Sequence, residues 1–213
     1  MTSAPEVVLG ITGSIGAYKA GDLVRLLRDA GYAVNGVLTQ RATKFITPLT
    51  VQALSDRKAY TDLFDQAEQH IVHTTLADHA RLVIVAPATA NIIAKYAGGL
   101  ADDLLSCILL ATRGKILFAP AMNVHMWQHL TVQRNVQLMK RLGVRFVGPD
   151  VGKLACGYEA IGHLAEPEEI VAAARQLVPV VGAAPASPVA KPAAAARRQP
   201  ARARPAKRGS RKR

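Results

Sequence analysis

The sequence predicts an α/β fold: a single doubly wound domain, Rossmann-like or flavodoxin-like, with a mainly parallel sheet. Three observations carry the prediction. Apolar β-rich runs recur along the chain, segments of helical spacing lie between them, and small-residue turns close several of the runs.

The first run, Val7-Val8-Leu9-Gly10-Ile11, is continuously apolar, as expected of a parallel strand buried on both faces. Ile15 to Ala30 then carries Leu23, Leu26 and Leu27 in one stripe and stops before Gly31, which predicts a helix. Val34 to Leu38 reads as the second strand and Thr50 to Leu54 as a short helix. Leu82 to Val85 is the third strand, followed by helices over Asn91 to Ala97 and Asp103 to Ala111. Ile116 to Phe118 is the fourth strand, Val132 to Leu142 a helix closed by Gly143, and Val144-Arg145-Phe146-Val147 a weaker fifth strand. A last helix spans Pro167 to Leu177, with Glu166, Glu168 and Glu169 suited to its N-terminus. Such alternation implies right-handed crossovers and places a ligand site beyond the carboxyl ends of the strands.

A chain of 213 residues, half of them hydrophobic, can bury one substantial core. Residues 1–181 are expected to form it. From 182 to 213 the composition turns to Ala, Pro, Arg and Lys, which cannot bury enough apolar surface to order itself, so a disordered basic tail is expected. The formal charge of +12 is concentrated there: ten basic residues and no acid lie in that stretch, leaving 17 basic against 15 acidic residues in the body. Without interleaved aromatics the tail suits weak, salt-sensitive nucleic-acid contact at most, or a solubilising role. No apolar run reaches the roughly 18 residues of a membrane span and no secretory signal opens the chain, so a cytoplasmic location is expected. Cys107 and Cys156 are then reduced thiols, and no Cys/His cluster has the spacing of a structural metal site.

Chemistry concentrates in the turns. After the first strand comes Thr12-Gly13-Ser14-Ile15-Gly16-Ala17, small residues opening a helix, where free N–H groups favour a phosphate. The turn is not G-x-G-x-x-G, and the second strand ends in Thr39 where a dinucleotide site needs an acid, so a mononucleotide is favoured over NAD. Ala86-Pro87-Ala88-Thr89-Ala90-Asn91 closes the third strand in the same manner. Ala119 to Trp127 follows the fourth, and Leu154-Ala155-Cys156-Gly157-Tyr158-Glu159 is read as a loop after the fifth. Together these loops offer an amide, a thiol and apolar walls at one sheet edge.

Six stretches, in order, carry a resemblance: GSIGAYKA (13–20), TQRATKFITPLTVQALS (39–55), HTTLADHARLVIVAPATAN (73–91), GGLADDLLS (98–106), PAMNVHMW (120–127) and LACGYEAIGHLAEPEEI (154–170). They cover about residues 5–178, and by them the chain resembles the homo-oligomeric flavin-containing cysteine decarboxylase family. The P-x-M-N-x-x-M-W form separates it from flavin prenyltransferases, and the A-C-G loop from lantibiotic decarboxylases.

The resemblance implies FMN as cofactor and decarboxylation of 4'-phosphopantothenoylcysteine to 4'-phosphopantetheine in coenzyme A biosynthesis. Under it His73 is the base, fourteen residues before Pro87; His70 competes, but its spacing is three residues longer. Asn123 holds the substrate carboxylate, Met126 shapes the wall beside it, and Cys156 donates the final proton. Gly13, Ser14 and Ile15 fall on the phosphate or ribityl side, with Thr39, Thr89 and Asn91 in neighbouring turns and Ala121 near the ring. Phe45 either lies against the flavin or fills core, and Cys107 reads as a buried, inert thiol. A homo-oligomer is implied, a trimer or a dodecamer of trimers with flavin at subunit boundaries, together with a separate ligase that makes the substrate. Where the family shows G-x-G-R, this chain has Ala160-Ile161-Gly162-His163, which puts the flap over the substrate in doubt. Two other readings stay open: a decarboxylase of peptidyl C-terminal cysteine, and a non-catalytic regulatory flavoprotein.

Overall fold

The computed structural model describes residues 4–64, 71–153, 157 and 159–180. Six parallel strands form one sheet: β1 (Glu6–Ile11), β2 (Ala33–Leu38), β3 (Ala59–Tyr60), β4 (Leu82–Ala88), β5 (Lys115–Pro120) and β6 (Arg145–Phe146). Their order is β3-β2-β1-β4-β5-β6, so the chain winds outward from β1 in both directions and reverses between β1 and β4. An antiparallel hairpin, β7 (Asp150–Lys153) with β8 (Glu159–His163), stands apart from the sheet.

Strand alternation divides the apolar runs between two layers. Val7, Leu9 and Ile11 face a core shared with α1 (Ala20–Asp29), α2 (Pro48–Ser55) and α8 (Pro167–Leu177). Val8, Val83 and Val85 face the opposite core, against α3 (Val72–His79), α4 (Ala90–Gly98), α5 (Leu104–Ala111) and α7 (Leu130–Arg141). All seven residues of β4 are buried, which explains the unbroken apolar run. Each fully buried Leu or Ile in these layers contributes about 1.5–3 kcal/mol of transfer free energy.

Local chemistry sets the helix ends. Thr47 accepts the N–H of Thr50 at 3.1 Å with Pro48 at the first position, and α2 stops where Asp56 turns left-handed at φ 55°. Asp103 and Ser106 form a reciprocal capping box at the start of α5.

Several features depart from the sequence reading. The helix expected over Ile15–Ala30 begins as a tighter 3-10 segment, Ile15–Lys19, because the Ser14 side chain turns back to accept the N–H of Gly16. Two short helices lack a sequence signal: α3, with few apolar residues, and α6 (Val124–Gln128), a five-residue turn started by the Asn123 cap. The two-residue β3 is too short to show a pattern. The stretch read as a loop after the fifth strand is flanked by β7 and β8, whose strand character is supplied by their mutual pairing. No described helix is long and apolar enough to cross a membrane, and no described group of His, Cys, Asp and Glu could hold a metal ion.

Candidate functional site

At the carboxyl ends of β1 and β4, where the winding reverses, ligand sites of doubly wound sheets lie. A cavity of about 470 Å³ opens there, within the range of about 300–1,000 Å³ typical of small-molecule sites. Three strand-end turns build it. From β1 come Thr12 and Gly13; from β2, Thr39, Gln40 and Arg41; from β4, Thr89 to Ile92.

Thr12 ties two of these turns together. Its buried hydroxyl donates to the carbonyl of Pro87 at 2.7 Å and accepts the N–H of Thr89 at 3.1 Å. Gly13 brings in the third, since a β-carbon there would lie 2.5 Å from Cβ of Arg41. The close approach of β1 and β2 loops therefore requires glycine. On the far wall, Thr89 makes no side-chain cap to α4, so the first N–H groups of that helix are left to whatever fills the cavity.

Charge enters through Lys95, Asp102 and Asp103, which also line the cavity. Lys95 Nζ lies 2.6 Å from a carboxylate oxygen of each aspartate. Burial alone would raise the pKa of Asp103, but hydrogen bonds from Lys95 and Ser106 outweigh it and hold the group below its ordinary value. For Lys95 the opposing cost of burial is likewise overcome by the two carboxylates, and its pKa rises.

Of the residues singled out from sequence, the cavity brings together Gly13, Thr39, Thr89, Asn91 and Met126, the last 49% exposed. Ser14, Ile15, Phe45 and Ala121 are not among its lining residues. Ser14 caps its own turn and Ile15 faces outward, while Ala121 lies buried beneath, its N–H bonded to Ala88 O at 3.1 Å. Phe45 borders an adjacent cleft with Tyr18 and Thr47. Sequence reasoning placed Thr12 in the first turn and Asp103 at a helix start but singled out neither as a site residue, and it gave no role to Gln40, Arg41, Lys95 or Asp102. The GGLADDLLS stretch signalled the aspartates, but only folding pairs them with Lys95.

Asn123 sits at the N-cap of α6, its Oδ1 accepting the N–H of His125 at 2.8 Å. The loop before it is anchored from β8, where the N–H of Met122 donates to Gly162 O at 3.0 Å. Gly162 has φ 137°, and a β-carbon there would collide with the carbonyl of Met122. The PAMN loop and the end of the cysteine-loop hairpin thus meet at a contact that only glycine permits.

His73 lies in the first turn of α3 and does not line this cavity. Its Nδ1 is enclosed yet has no hydrogen-bond partner among the described residues. Leaving such an atom unpaired costs about 1–3 kcal/mol, so it calls for a partner or a catalytic role. Cys156 and His70 lie outside the described residues. Cys107 is partly exposed, not buried as expected, because α5 turns that face toward the loop at Ala101, whose carbonyl lies 3.4 Å from Sγ. Burial and the nearby Asp103 and Asp102 raise its pKa, which keeps it a protonated, inert thiol.

Against this geometry, the Flavoprotein family model matches residues 1–178. The chain belongs to that family. The flavoprotein is 46% identical over 172 residues to the coenzyme A biosynthesis bifunctional protein CoaBC of Bacillus subtilis (strain 168), covering 80% of this chain and 42% of that one. Its identity to CoaBC of Escherichia coli (strain K12) is 43% over 167 residues, covering 78% of this chain and 41% of the relative. The flavoprotein therefore spans less than half the length of these curated relatives. Among solved structures, a PPC decarboxylase mutant complexed with pantothenoylaminoethenethiol superposes with a TM-score of 0.73 at 31% identity, covering 81% of this chain and 97% of that one. The FMN binding protein AtHal3 superposes with a TM-score of 0.71 at 31% identity, covering 81% and 96%.

Proposed function

We propose that the flavoprotein binds FMN in the cavity between the ends of β1, β2 and β4 and decarboxylates 4'-phosphopantothenoylcysteine to 4'-phosphopantetheine and CO2. The observation that carries this reading is the likeness to a PPC decarboxylase over nearly that chain's whole length, on a fold whose switch-point cavity has room for a mononucleotide. Identity to the matched part of CoaBC proteins supports the same pathway, coenzyme A biosynthesis.

The residues present fit the cofactor. Gly13 lets the turns after β1 and β2 close on each other at the cavity edge, the uncapped start of α4 offers N–H groups to a phosphate, and Thr39, Thr89 and Asn91 supply polar edges. Bound FMN supplies a reversible two-electron acceptor beside the substrate.

The chain supplies position and protons. Over the whole reaction the carboxylate leaves as CO2 and a proton takes its place, so the net change is redox-neutral. Asn123 orients the departing carboxylate as an amide N–H donor, the kind of partner a carboxylate accepts from, while its Oδ1 caps α6. Met126 walls the site. His73 accepts the proton released when the thiol-bearing carbon is oxidised. Cys156 returns one at the end. His73 does not line the cavity of its own chain, which favours a homo-oligomer in which a neighbouring copy supplies it. A trimer is the proposed state, in the cytoplasm, with residues 1–181 as the catalytic domain and 182–213 as a basic extension.

A second reading, decarboxylation of a peptide ending in cysteine, draws on likeness to the FMN-dependent cysteine decarboxylase SpaF, at a TM-score of 0.68 and 30% identity. Parallel assays of CO2 release from phosphopantothenoylcysteine and from a cysteine-ended peptide separate the two. Turnover of the phosphorylated substrate alone is expected; turnover of the peptide alone overturns the first reading.

A further inference from the structure

Four charged side chains line the cavity: Arg41, Lys95, Asp102 and Asp103. Lys95 is held between the two aspartates at 2.6 Å from each, so that cluster carries one net negative charge. Arg41 has no carboxylate partner among the described residues. Its backbone is pressed against Gly13, with the carbonyl carbon 3.1 Å from where a β-carbon of that glycine would stand.

A flavin phosphate brings about −1.5 to −2 charges at neutral pH. Without Arg41 that group would enter a cavity already negative by one unit. With it the charges of the lining balance, and an exposed arginine at the cavity edge offers a guanidinium able to grip two phosphate oxygens at once, while the start of α4 lines the cavity from the β4 side.

We propose that Arg41 is the specificity determinant that makes this cavity select FMN over unphosphorylated riboflavin. The inference rests on the flavin reading above. Riboflavin shares the ring and the ribityl chain, so its affinity reports everything in the cavity except phosphate recognition. Arg41 is an exposed side chain, which leaves the fold independent of it.

The test titrates FMN and riboflavin into the full-length chain stripped of flavin, following quenching of flavin fluorescence at low and high salt. Arg41→Ala should weaken FMN by about tenfold or more, equivalent to about 1.4 kcal/mol, with riboflavin affinity within about twofold of the parent. Arg41→Lys should recover part of the loss, and the salt dependence of FMN binding should shrink in Arg41→Ala. Asp102→Asn, which removes one negative charge, should strengthen FMN and leave riboflavin unchanged. An unchanged FMN-to-riboflavin ratio in Arg41→Ala overturns the assignment, as does an equal loss for both flavins, which marks Arg41 as structural. If the parent binds neither flavin, the flavin reading falls and takes this assignment with it.

Discussion

Thr12 accepts the backbone N–H of Thr89 at 3.1 Å, and by that bond the ends of β1 and β4 are held at a fixed separation. The same hydroxyl donates to Pro87 O at 2.7 Å, so a single buried side chain satisfies two backbone groups at the floor of the cavity. Thr12→Val keeps the shape and removes both bonds. It should cost about 1–3 kcal/mol, read as a lowered thermal midpoint, and it should weaken flavin retention.

His73 offers a sharper separation of roles. His73→Asn should keep bound flavin and slow CO2 release by about 100-fold or more, the scale of a positioned base. If a neighbouring copy supplies His73, oligomers assembled from His73→Asn and Asn123→Ala chains should regain activity that neither variant has alone. Mixed assemblies as inactive as the single variants would place base and amide in one chain.

The Lys95 clamp has a defined pH signature. The depressed pKa of Asp103 means that its contribution to stability is complete above the ordinary carboxylate value of 3.8 and is lost as pH falls below that. The raised pKa of Lys95 sets the opposite limit, with stability complete below 10.5 and lost above it. Lys95→Met should therefore cost about 1–2 kcal/mol across neutral pH, and the gap from the parent should close in acid. Denaturant unfolding at several pH values checks it.

Gly162→Ala tests the contact between hairpin and PAMN loop. At φ 137° the alanine is strained, and its β-carbon meets the Met122 carbonyl. A loss of about 1–3 kcal/mol is expected, together with a higher KM for substrate and flavin content near that of the parent. Unchanged KM would detach the hairpin from substrate binding.

Much of the architecture is legible in the sequence because β1, β4 and β5 are buried on both faces along most of their length and so read as apolar runs, and β2 still does although Asn35 interrupts it. Turns rich in Gly, Thr and Asn mark the cavity edge for a related reason, since strands of a doubly wound sheet end at the ligand. What escapes depends on contacts that only the folded backbone makes. Arg41 gains its place only through the missing side chain of Gly13, and Lys95 meets Asp102 and Asp103 only after the chain turns back at Gly99, φ 70°. β7 and β8 carry little strand pattern of their own, their sequences being DVGK and EAIGH, and become strands by pairing.

The flavin content of the purified chain decides whether this cavity is an FMN site. A yellow protein is expected, with the visible spectrum of oxidised flavin and one FMN released per chain on denaturation. A colourless protein that also fails to take up added FMN would rule out flavin-dependent decarboxylation by this chain.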